Sequence, residues 1–242
     1  MKKTALITGA SGGIGSAAAR ALAHDGFRLA LCYNSDEAGI KRLAKELNKS
    51  TDAFTAKVDV SDRAQVDSAF EQAAEEFGGI SVLVNCAGIS QQKLFTDITE
   101  ADFDRMMTVT VKGTFNTCQA ALPFMINRKR GKIINISSMW GVAGASCEVH
   151  YSAAKAAVIG LTKALARELA PSNIQVNCIA PGVIDTKMNS CFSEAELEAL
   201  RNEVPMGRFG SPEEVAALIS YLASEKSDYV TAQVIGIDGG FI

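Results

Sequence analysis

The feature that most constrains this chain stands at its start. A run of strand formers, "TALIT" (residues 4–8), leads into "GASGGIGS", and "AAARALAHDG" follows with the composition of a helix. Gly9, Gly12, Gly13 and Gly15, with Ser11 and Ile14 between them, make a turn that can bend tightly and let a ligand approach the backbone where no Cβ intervenes. The helix behind the turn aims free N–H groups and its positive dipole end at the same point, which suits an anion such as phosphate. Glycine in a turn is common. The strand before this turn and the helix after it supply the context that a phosphate cradle requires.

The rest of the chain repeats that alternation. "FRLALCY", "AFTAKVDV", "ISVLVNCAG", "GKIINISS", "IQVNCIAPG" and "AQVIGIDGG" read as further strands. "DEAGIKRLAKEL", "DRAQVDSAFEQAAEEFG" with Ser61 as its cap, a long region around 99–127, and "HYSAAKAAVIGLTKALARELA" read as helices. Strands alternating with helices imply βαβ units, and strands apolar throughout suit a parallel sheet covered on both faces. The expectation is one doubly wound α/β domain of the Rossmann type over residues 1–242, with about seven strands and a substrate flap around 187–210.

Composition narrows the functional classes. A net charge of −3 gives no reason to expect a nucleic-acid partner. No apolar run reaches the ~18 residues of a membrane span, and the run after Met1-Lys2-Lys3 is too short for a secretory signal. Six cysteines without C-x-x-C spacing read as free thiols in a cytoplasmic protein, and two histidines do not suggest a metal site.

The second informative stretch is "SSMWGVAGASCEVHYSAAK" (137–155). Tyr151 and Lys155 lie four apart on the long helix and so share a face, and Ser138 closes the strand thirteen residues before the tyrosine. A free phenol has a pKa of roughly 10, and a neighbouring ammonium is expected to lower it. A phenol so tuned can protonate a carbonyl oxygen as hydride reaches its carbon, while a serine hydroxyl steadies the developing alkoxide. Such a helix pair is often incidental; the glycine turn and Ser138 together favour a catalytic set.

The spacing Gly9, Gly13, Gly15 resembles the short-chain dehydrogenase/reductase family. So do "NCAG" (85–88, with Cys86 where the family has asparagine), "DV" (59–60), "PGVIDT" (181–186) and "YVTAQVIGIDGG" (229–240). The resemblance covers essentially the whole chain. It implies a catalytic Ser138, Tyr151 and Lys155, and an NAD(P) site drawn from the glycine turn, Asn34, Ser35, Asp59, Val60, Asn85, Ala87, Gly88, Tyr151, Lys155, Pro181, Gly182, Ile184 and Thr186. Thr110, in "VTVKGTF", stands where many members carry an asparagine that holds a relay water; its hydroxyl, its carbonyl, or neither could serve. Strand two closes on "YNS", with no acid to repel a 2′-phosphate and no cation to bind one, so NADP(H) is favoured over NAD(H).

The resemblance implies an NAD(P)H-dependent carbonyl reductase. In length and motif order the chain looks most like the 3-oxoacyl-[acyl-carrier-protein] reductases, with the reductases of a 5-aminopentanone group on elongation factor P as the alternative. A non-catalytic NAD(P) sensor is the reading from another class. It also implies a homotetramer built through the helices at 99–127 and 150–170 and the C-terminal strand region. The basic cluster "NRKRGK" (127–132) could dock an acidic acyl carrier protein or simply end a helix. Cys86 and Cys178 read as small core residues, and Trp140 as pocket lining or packing. Glu148 stands where the carrier-protein reductases commonly hold a neutral amide. It would favour a cationic substrate such as the aminopentanone, unless it points to solvent or caps the helix.

Overall fold

A computed structural model describes residues 3–187 and 193–242. The expected alternation appears as β1 (Thr4–Thr8), α1 (Gly13–His24), β2 (Arg28–Tyr33), α2 (Glu37–Leu47), β3 (Ala53–Lys57), α3 (Arg63–Phe77) and β4 (Val82–Asn85). There follow α4 (Glu100–Met107), α5 (Gly113–Ile126), β5 (Gly131–Ile136), the single turn α6 (Trp140–Ala143), α7 (Val149–Leu169), β6 (Ile174–Pro181), α8 (Glu194–Glu203), α9 (Pro212–Ala223) and β7 (Val234–Ile237). The seven strands form one sheet in the order β3-β2-β1-β4-β5-β6-β7, parallel throughout.

Successive residues of a strand face opposite sides of the sheet, and here both sides are apolar. Ile7, Val84 and Ile134 pack with Ile40, Val215 and Ile219 under α1, α2 and α9. Their neighbours Leu6, Leu83 and Ile133 pack with Val66, Phe70 and Met125 under α3, α5 and α7. This is why the central strands read as unbroken apolar runs. The chain winds outward from β1 to β3, then returns to place β4 beside β1. That reversal opens a crevice at the carboxyl ends of β1 and β4, the switch point where doubly wound sheets bind ligands.

Three local expectations change. Asp62, not Ser61, caps α3: its carboxylate accepts from the Ala64 and Gln65 N–H groups, while the Ser61 hydroxyl is spent on Asp59 at 2.7 Å. β3 stops at Lys57, short of "VDV", because the Asp59 carboxylate takes the Ser61 N–H and turns the chain. The helical region at 99–127 is continuous, but Thr108–Lys112 is a π turn between α4 and α5. The basic cluster is largely consumed internally. Arg128 donates to the Gly78 carbonyl, Arg130 pairs with Glu225, and buried Lys132 meets Ser227 and Asp228. Among the described residues no helix is long and apolar enough to cross a membrane.

Candidate active site

At the switch point the glycine turn is held by parts distant in sequence. Gly9 is left-handed (φ +62°), and a Cβ there would stand 2.8 Å from the Ala87 nitrogen, so only glycine fits. The Ala87 N–H donates to Thr8 Oγ1 at 3.2 Å, pinning "NCAG" beside the turn. A methyl on Gly13 would lie 2.5 Å from Thr186 Cγ2, which brings the segment after β6 to the same place. α1 starts behind Gly12 with no side-chain cap. A glycine cradle at an uncapped helix N-terminus fits a dinucleotide pyrophosphate.

The other candidates for that ligand differ in what they can offer. Asn34 and Ser35 are exposed just past β2. The cation closest in register is Lys57, the cross-strand partner of Tyr33. The Asp59 carboxylate is engaged by Ser61 and its N–H by Gln65, while the Val60 carbonyl accepts from Asn116. The Asn85 side chain lies inside a buried network: it donates to Asn135 at 2.9 Å and accepts from Thr117 at 2.8 Å, and Asn135 donates on to Thr162 at 2.9 Å. Asn85 thus ties β4 to β5, α5 and α7. Gly88 faces Lys155, whose Nζ would be 3.4 Å from a methyl at that position. Pro181 and Gly182 are held by main-chain bonds, the Pro181 carbonyl accepting from Met139 and the Gly182 N–H donating to Ile237. Ile184 bridges to Gly210.

Ser138, Tyr151 and Lys155 come together beside this cradle, all buried. Ser137 Oγ donates to the Lys155 carbonyl at 2.8 Å, fastening α7 to the end of β5. Lys155 Nζ donates to the Ile136 carbonyl at 2.9 Å and lies 5.7 Å from the Tyr151 ring centre. Ser138 Oγ accepts the Trp140 N–H at 3.1 Å, which leaves its own proton free for Tyr151 or a ligand.

The electrostatics correct one expectation. Burial pushes the Tyr151 phenol up to about 12; the Ser138 hydroxyl works against that rise and the Glu148 charge adds to it. Lys155 is not among the groups that move the phenol, and burial lowers its own ammonium to about 8. Burial pushes the Cys178 thiol up to about 11, which suits an inert core thiol, and raises that of Cys86, which is partly buried against the core, to about 12.

Thr110 lies buried in the π turn. Its hydroxyl is directed at Met106 Sδ (3.8 Å), and its carbonyl accepts the Thr114 hydroxyl at 2.7 Å. The hydroxyl is therefore turned toward Met106. Glu148 neither caps α7 nor lies free in solvent. It occupies the N-cap position without a capping bond and is partly buried, and its carboxylate accepts from Gln92 Nε2 at 3.3 Å. Burial raises its pKa, and among the described residues no cation pairs with it. Of the segment 187–210, residues 188–192 lie outside the described residues, and α8 occupies much of the remainder.

Sequence reasoning did not find the loop after β4. Gln91 meets His150 Nε2 at 2.9 Å and donates to Asp102 at 3.0 Å, and the Lys93 N–H donates to the Cys147 carbonyl at 2.7 Å. This loop braces the entrance to α7, and nothing local in "SQQKLF" signals it.

A doubly wound sheet with a dinucleotide cradle beside a buried serine, tyrosine and lysine has the form of a nicotinamide-dependent oxidoreductase. A family model described as enoyl-(acyl carrier protein) reductase matches residues 9–242. A 3-oxoacyl-[acyl-carrier-protein] reductase of Thermotoga maritima is 42% identical over 99% of this chain and 98% of its own. Another of that name from Staphylococcus aureus is 38% identical over 99% and 98%. The uncharacterized oxidoreductase YmfI of Bacillus subtilis is 40% identical over 100% and 99%. The chain belongs to the short-chain dehydrogenase/reductase family and is an NAD(P)-dependent oxidoreductase acting on a ketone/alcohol pair.

Proposed function

We propose that this chain, acting as one catalytic domain, reduces the 3-keto group of an acyl chain carried as a thioester on acyl carrier protein. The observation that carries this reading is the burial of Ser138, Tyr151 and Lys155 together at the carboxyl edge of the sheet. Nicotinamide, when bound, supplies the hydride. Tyr151 gives its proton to the ketone oxygen, and Ser138 donates a hydrogen bond to that oxygen as negative charge develops. Lys155 holds the ribose side of the site and the phenol's surroundings. A phenol placed to protonate oxygen suits a ketone better than a carbon–carbon double bond. The test is NADPH consumption with acetoacetyl thioester; absence of turnover by purified wild type would overturn the reading and favour a sensor.

A second reading is favoured by Glu148. A partly buried carboxylate without a cationic partner, whose charge reaches Tyr151, suits a ketone that bears an ammonium, such as the aminopentanone group on elongation factor P. Glu148→Gln should then weaken an amino-ketone by roughly 1–3 kcal/mol and leave acetoacetyl thioester almost untouched. Equal losses on both, or none, would remove this role.

Three further readings belong to the same proposal. NADP(H) is preferred over NAD(H), supported by the lack of an acid at the end of β2 and by Lys57 beside Tyr33; a lower KM for NADH would reverse this. The chain forms a homotetramer, supported by a groove lined by Met107, Val111, Phe115 and Leu161 where α4, α5 and α7 meet, with Phe115 half exposed. A light-scattering mass near 25.6 kDa would refute it. The enzyme acts in the cytoplasm, where its thiols stay reduced.

A further inference from the structure

Trp140 is the chain's sole tryptophan and opens α6, two residues beyond Ser138 and four beyond the end of β5 at Ile136. Its backbone N–H is bonded to Ser138 Oγ, and its side chain packs against the cluster of Met106, Tyr151 and Ala154. It is thus tied to two members of the candidate catalytic set, yet it is only partly buried. The ring that packs on it comes from the far end of the sequence: Phe241 meets Trp140 edge to face, centroids 5.5 Å apart at 88°.

The path of the chain explains this meeting. β7 runs parallel to β6, so both deliver their carboxyl ends to the edge where Pro181 and Ser138 lie. Beyond β7 the Asp238 carboxylate accepts the Gly240 N–H at 2.9 Å, and Gly239 and Gly240 are both left-handed, at φ +70° and +83°. Two successive residues in that region fold the chain back at little cost only as glycine. The Met206 N–H donates to the Gly239 carbonyl at 3.2 Å, and a methyl on Gly239 would stand 2.9 Å from Val204 Cγ1, so the turn is seated against the residues that follow α8. The tail is fixed where it passes the site.

We propose that Phe241 is a specificity-determining residue: with Trp140 it forms an aromatic wall that limits the size of the group a ketone can carry beside its carbonyl. This rests on the reductase reading above. It adds a selectivity element supplied by the C-terminal tail, acting beside Ser138 rather than on the reacting atoms.

Trp140 emission follows the wall without any need for turnover. Wild type, Phe241→Ala and Phe241→Leu are titrated with 3-oxo esters bearing methyl, propyl or phenyl on the ketone, and NADPH consumption is followed in parallel. Phe241→Ala should move the ratio of kcat/KM for the phenyl over the methyl ester by about ten-fold toward phenyl. The shift should lie mainly in KM, and the NADPH dissociation constant should stay within about two-fold, since the cradle lies elsewhere. Phe241→Leu should give a smaller shift in the same direction and covers the case in which the alanine variant fails to fold. A uniform fall across the three esters, an unchanged ratio, or wild-type Trp140 emission indifferent to every ester would overturn the wall. Ester-dependent emission without NADPH consumption would count against the reductase reading while leaving the wall in place.

Discussion

The two sides of the crevice are built by different means. On the β1 and β4 side, the cradle is backbone: left-handed Gly9, an uncapped helix start and the Ala87 N–H, with side chains mostly excluded. On the β5 and β6 side, the candidate site is made of side chains: Ser138 from the end of β5, and Tyr151 and Lys155 from α7, two stretches of chain buried against each other. A phosphate needs N–H groups and room, which a glycine turn between a strand and a helix can supply within a few residues. A proton transfer needs chosen functional groups at chosen pKa values, and those depend on everything packed around them.

The largest effect expected is on the side-chain half alone. Tyr151→Phe removes the proton and should lower kcat by about 10²–10⁴-fold, the range for losing a positioned general acid. NADPH affinity, measured by fluorescence, should fall far less than kcat, because Tyr151 is one contact among the many of the cradle; an equal loss in both would show that the two halves are not separable. Gly9→Ala strikes the backbone half. The left-handed φ and the contact with Ala87 should cost about 2–4 kcal/mol of stability and weaken NADPH binding in whatever fraction folds. A variant as stable as wild type in urea would refute the account of the turn.

A third prediction sharpens the contrast through pH. The Lys155 pKa falls to about 8 in the folded chain, against an ordinary value near 10.5 in the unfolded one. Between those values the unfolded chain binds the extra proton, so this group makes stability rise with pH, by at most about 1.4 kcal/mol per pH unit. The contribution is complete above the unfolded value and is lost as pH falls through 8. Lys155→Met should flatten that slope in urea titrations run from pH 8 to 10. An identical slope would mean that Lys155 is not desolvated. The smallest effect belongs to neither half: Asp62→Ala should cost about 1 kcal/mol by uncapping α3 while Ser61→Ala costs less, and the reverse order would restore Ser61 as the cap.

Much of the fold was legible because its signals are local. The strand–glycine–helix start, the apolar central strands and the i,i+4 pair of Tyr151 and Lys155 each depend on near neighbours in sequence. The slip from Ser61 to Asp62 is a choice between two adjacent oxygens, decided by which one Asp59 claims. The π turn at Thr108–Lys112 has no such signature, since a helix read by period alone shows no single widened turn.

The architecture, the place of the crevice and the identity of the candidate catalytic groups are all written in local stretches of the chain. Each follows from backbone stereochemistry and periodicity, which act over a few residues. How those groups are charged and what surrounds them depends on packing between distant segments. The helix pair predicts a lowered Tyr151 pKa beside Lys155, whereas burial raises the phenol and lowers the ammonium's own pKa. Glu148 takes Gln92 as its partner, Asn85 bonds to Asn135 and Thr117, and Phe241 reaches Trp140 from across the chain. Desolvation and contact depend on which distant segments packing brings together, and no window along the chain contains that information.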